Sequence, residues 1–204
     1  MAKHVREILG SVPREYLTTY VASPLAQHIY KELFRLHVDL VTNRKWDGVE
    51  RRLNVAGGEG CLLAVAHRLI SQFAEDERDQ RVRNTMSNVV EDFLMNAVGN
   101  DPDVLLSGTA MEVIEAVDRR AFESTAGYFL TFVILRMLER EHERLSEQGR
   151  TELRSIAETL ANRVWARFER DYLGKPFGDL AQTTPGDLLH ILSCTDWFAE
   201  ELRK

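Results

Sequence analysis

From Ala126 to Leu135 the chain reads AGYFLTFVIL, bounded by Glu123 and Arg136, and this run limits the folds open to it more than any other feature. A helix with no polar face is normally surrounded by other helices or by lipid. A bilayer span needs roughly 20 apolar residues, and this run falls well short. The expectation is a central helix of a water-soluble bundle, over about 124–147, wrapped by amphipathic neighbours. A chain of 204 residues with 44% hydrophobic and 28% charged side chains can supply both the wrapping and the core.

The neighbours are legible from their spacing. Ser23-Pro24 joins an N-capping hydroxyl to a proline at the first helical position. Leu25, Ile29, Leu33, Leu36 and Leu40 then follow on one stripe, which predicts a helix to about Arg44. Residues 43–60 read as a long connection around Trp46 and the glycines Gly57, Gly58 and Gly60, with room for a short helical segment. Leu62, Ala66, Leu69 and Phe73 define a second helix, with Leu63 and Ile70 widening its stripe. Val82, Met86, Val89, Phe93 and Ala97 define a third, stopped by Gly99-Asn100-Asp101-Pro102. Thr109-x-x-Glu112 has the form of a capping box and opens a fourth. The central helix is fifth and ends at Gly149. Thr151 opens a sixth along Leu153, Ala157, Leu160, Val164, Phe168 and Tyr172, and Thr184-Pro185 starts the last. No stretch alternates with period two over strand length, and no repeat or linker divides the chain. The fold expected is all-α, a single domain of six to eight helices over residues 1–204.

Cys61 and Cys194 belong to no CxxC pair, and the first ten residues lack an uninterrupted apolar core, so a reducing, cytoplasmic location is expected. The formal charge of −6, with 26 basic residues spread along the chain, argues against a phosphate backbone as partner. The basic clusters Arg44-Lys45 with Arg51-Arg52, and Arg78, Arg81 and Arg83, are interleaved with acids and read as solvated ion pairs.

Several side chains could carry chemistry. Glu139 and His142 have the E-x-x-H spacing of di-iron bundles, with His142 on the inward seam of Leu135, Leu138 and Leu145. A carboxylate-bridged iron or manganese site would also need a second such motif, and the sequence has none, leaving His28, Glu32 and Glu91 as improvised partners. Asp187, His190 and Cys194 can share a face of the last helix, where imidazole and thiol could bind zinc or form a reactive pair. Four zinc ligands would require Cys61 and His67, which point apart on one helix. His67 borders a core stripe, and with Tyr128, Phe129 and Phe132 it could line a pocket for a small apolar ligand or haem. The blander reading of each is a packed or solvated side chain, and for His28 and Glu32 a surface ion pair. Ala56-Gly57-Gly58-Glu59-Gly60 lacks the lysine of a phosphate loop and reads as a flexible hinge.

The motifs that usually announce an enzyme are missing. The function expected is that of a non-enzymatic, regulatory ligand-binding or protein-interaction module, with no cofactor and no membrane span. It is expected to form a homodimer by pairing leftover apolar stripes, with the Trp46 loop and the aromatic last helix as contact surface. The alternative is a metal-dependent helical enzyme, or a metal or haem sensor, using the inward histidines and glutamates.

Overall fold

A computed structural model describes residues 19–21, 23–73, 77–117, 125–141 and 147–168. The fold is all-α, and the described residues contain no strand. No helix among them is long and apolar enough to cross a membrane.

Helix α1, Pro24–His37, starts as its sequence dictates: the Ser23 hydroxyl oxygen accepts from the Ala26 N–H at 3.1 Å, with Pro24 in the first turn. Its stripe of Leu25, Ile29, Leu33 and Leu36 is buried. The last turns differ from the expected regular helix. Val38–Thr42 is a π-helix, closed by an Asn43 N–H to Val38 carbonyl bond of 2.9 Å, and it buries both Asp39 and Leu40. Such a one-residue insertion changes the direction of side chains that follow it. Arg44, at φ 51°, turns the chain into α2, Asp47–Leu53, the short helix for which the sequence left room.

Trp46 is not the exposed contact residue expected. It is 6% accessible, and its indole N–H donates to the Val55 carbonyl at 2.9 Å. With that donor satisfied, burying the large ring is favourable. Helix α3, Cys61–Phe73, and helix α4, Gln80–Ala97, follow the expected spacing, and Val82, Met86, Val89, Phe93 and Ala97 all face the core. Gly99 and Asn100 then take positive φ and end α4. Asp101-Pro102, read in the sequence as part of that stop, instead begins α5, Pro102–Ser107. The Asp101 carboxylate accepts from the N–H groups of Asp103 and Val104 at 3.0 and 3.3 Å, an N-cap with proline behind it. Helix α6, Ala110–Ala116, carries the expected capping box.

Helix α7, Thr125–Glu141, contains the apolar run, and every side chain from Phe129 to Leu135 is buried. It packs on α1, on α4 and on α8, Glu147–Phe168, whose Leu153, Ala157 and Leu160 are buried. The apolar helix is thus in contact with three other named helices. Gly149 does not mark the stop expected of it, because it lies in the first turn of α8.

Candidate interaction surface

The turn before α3 and the helices α5 and α6 form one edge of the molecule, built by close backbone approach. The Ala110 N–H donates to the Gly57 carbonyl at 3.0 Å. A Cβ on Gly57 would lie 2.7 Å from that of Ala110 and 3.3 Å from the Trp46 ring, so the glycine is a packing requirement. The expectation of a flexible hinge is corrected accordingly. Gly60, at φ +66°, passes the Leu106 carbonyl, and the Cys61 thiol donates to the Gly108 carbonyl at 3.5 Å.

Leu105 and Val113 point inward from this edge and anchor it. Leu106 and Met111 point outward, 55% and 70% accessible, and Gly58 faces open space. Large exposed apolar side chains on a backbone held in place by its own packing suit a contact surface. Within these segments the exposed charges have one sign. Glu59, Asp101, Asp103, Glu112 and Glu115 are exposed, while residues 54–67 and 98–117 contain no lysine or arginine. The Thr109 N–H and hydroxyl each donate to Glu112 at 2.7 Å and hold its carboxyl below the usual glutamate range.

Burial of Cys61 pushes its thiol up to about 11, above the ordinary cysteine value. The neutral thiol is therefore favoured by folding, and stability should decline as pH rises from the unfolded value near 9 through the folded one. Because thiolates are the reactive form, Cys61 is expected to resist iodoacetamide at pH 8 in the native protein and to react fully in urea. Peptide mapping by mass spectrometry reads both states, and equal labelling in the two would contradict the burial.

A second cluster lies between the π-helix and α2. The Arg52 guanidinium donates from Nε to Glu32 at 3.3 Å and from Nη1 to Asp39 and to the Gly48 carbonyl, the last at 3.1 Å. Glu32 also accepts from Arg35. The surface pair expected between His28 and Glu32 is not formed: His28 stacks on Phe73 with ring centres 4.9 Å apart, and the Glu32 carboxylate turns inward to the guanidinium groups. Arg52 is likewise half-buried and not the solvated residue expected. Gly48 is needed here because a Cβ would fall 2.3 Å from Asp39 Oδ1. The adjoining cleft, about 280 Å³, is lined by Asp39, Asn43, Lys45, Asp47, Gly48 and Arg51, and its mixed charges favour neither a cation nor an anion.

Of the expected site residues, Glu139 is held by Arg136 Nη1 at 2.8 Å, while the same guanidinium spans both carboxylate oxygens of Asp92 at 2.6 Å. The Asp92 hydrogen bonds raise the pKa of Arg136 above its already high ordinary value. This clamp ties α7 to α4. His142, His190 and Cys194 lie outside the described residues, as do Asp187 and the last helix expected at the C-terminal end. No group of three or more His, Cys, Asp or Glu among the described residues is placed to hold a metal. His67 is exposed, not at the core margin expected. Phe129 and Phe132 are buried in the core and Tyr128 packs against it half-buried, and Phe129 meets Tyr30 with ring centres 5.3 Å apart. Compared with known protein families, with curated proteins and with solved structures, the chain matches none.

Proposed function

We propose that the chain is a non-enzymatic protein-interaction module that works as a homodimer and makes contact through the α5–α6 edge. The supporting observation is the outward placement of Leu106 and Met111 on consecutive short helices whose backbones are pinned to the turn at residues 57–60. A backbone already held in place has little backbone entropy left to lose when a partner covers these side chains. The charge clusters in the interior have the character of fold-holding clamps: Arg52 joins α1 to α2, and Arg136 joins α7 to α4.

Light scattering across concentration tests this reading. The native chain is expected to give a dimer mass at tens of micromolar, and Met111→Glu or Leu106→Glu a monomer. As both side chains are exposed in the single chain, either substitution alone should shift the stability of the monomer by no more than about 0.5 kcal/mol. A native chain that stays monomeric at high micromolar concentration would remove the homodimer, and a dimer unchanged by both variants would move the contact elsewhere.

A further inference from the structure

We propose that the α5–α6 edge of one copy receives the outer face of α1 and the adjoining basic turn of a second copy. This rests on the reading of α5–α6 as contact surface and adds what covers it. Lys31, Phe34, Arg35 and Val38 recur at spacings of three, one and three, so they share one face where α1 passes into the π-helix. Phe34 and Val38 are the other large apolar side chains left exposed among the described residues, at 37% and 36%.

The charge along this segment is the converse of that along the α5–α6 segments. Residues 24–53 hold six cations, Lys31, Arg35, Arg44, Lys45, Arg51 and Arg52, against four acids, Glu32, Asp39, Asp47 and Glu50. Two of those acids, Glu32 and Asp39, are buried against Arg52. What reaches solvent is Arg35, Arg44, Lys45 and Arg51, with Lys31 half-covered, against Asp47 and Glu50. The inward clamp thus leaves the exposed charges of the α1–α2 segment mainly basic beside Phe34 and Val38 in sequence, whereas those of the α5–α6 segments are acidic. Two α5–α6 edges brought together would set like charges against each other, whereas an α1 face against an α5–α6 edge matches both apolar groups and signs. Because the two faces differ, two copies close into a dimer when both contacts form about a two-fold axis.

The test reverses charge on each edge and leaves the apolar side chains and the Arg52 cluster untouched. Glu59→Lys with Glu115→Lys is one variant, and Lys31→Glu with Lys45→Glu is the other. Each alone is expected to lose at least tenfold in self-association by light scattering, and an equimolar mixture to recover it, since the mixture restores opposite signs at both contacts. The native chain provides a readout free of folding artefacts: raising salt from 50 to 500 mM should weaken its dimer several-fold. If Met111→Glu dissolves the dimer while neither charge-reversed variant weakens it and the mixture recovers nothing, this pairing is overturned and the interaction edge stands. If the native chain never dimerises, both fall together.

Discussion

Arg52→Leu is expected to destabilise the protein by about 3 kcal/mol, seen in urea as a lower midpoint with an unchanged slope. Two carboxylates depend on that guanidinium. The side chains of Glu32 and Asp39 are 8% and 12% accessible, and Arg52 spans them from α2 while its Nη1 also binds the Gly48 carbonyl. Leucine would fill part of the volume but leave both acids facing a low-dielectric interior with fewer donors. Removing one partner of a buried pair typically costs about 3–5 kcal/mol. The 27% accessibility of Arg52 admits some water and places the value at the lower end. Glu32 keeps Arg35 as a second partner, so Asp39 carries the larger share. Combining Asp39→Asn with Arg52→Leu should then recover more than half of the loss, because the neutral amide needs no counter-charge. A loss below about 1 kcal/mol, or no recovery, would mean that the cluster is solvated in the manner of surface pairs.

This cluster also marks where sequence reading stops. The wheel of α1 places Leu25, Ile29, Leu33 and Leu36 inward because apolar spacing alone decides it, and the structure agrees. The same spacing says nothing about Glu32, whose partner Arg52 lies 20 positions away, or about the π-helix that follows α1. Gly57 and Trp46 fail in the same way. A glycine-rich turn and a loop tryptophan look mobile and exposed until tertiary contacts show that each excludes space for the other. Asp101-Pro102 is readable in either direction, since an aspartate before proline both follows the end of one helix and caps the next. The exposure of Leu106 and Met111 follows from how α5 and α6 fold over the turn at residues 57–60, with Leu105 and Val113, their inward neighbours, buried in the core. Spacing places Glu139 on α7, yet its own neighbour three residues earlier, Arg136, is what claims it.

The apolar run of α7 yields the other large effect. Phe129→Ala is expected to lose about 4 kcal/mol, within the range of roughly 3–5 for a buried phenylalanine. Phe129 has no accessible surface and meets the Tyr30 ring of α1, whose burial drives the tyrosine pKa upward. Alanine removes the ring that meets Tyr30, on a helix that packs against α1, α4 and α8, and helices held at several crossings close poorly around a void. At roughly 2–4 °C per kcal/mol for a chain of this size, the melting temperature should fall by about 8–16 °C. Glu152→Ala on α8 is the internal comparison, because an exposed side chain outside both proposed contact faces should change stability by no more than about 0.5 kcal/mol. Circular dichroism at 222 nm follows both variants, and the contrast between them decides the point. Equal, small losses would show that the run is covered only loosely, and an amphipathic wrapping of α7 could then no longer be what holds the helices together.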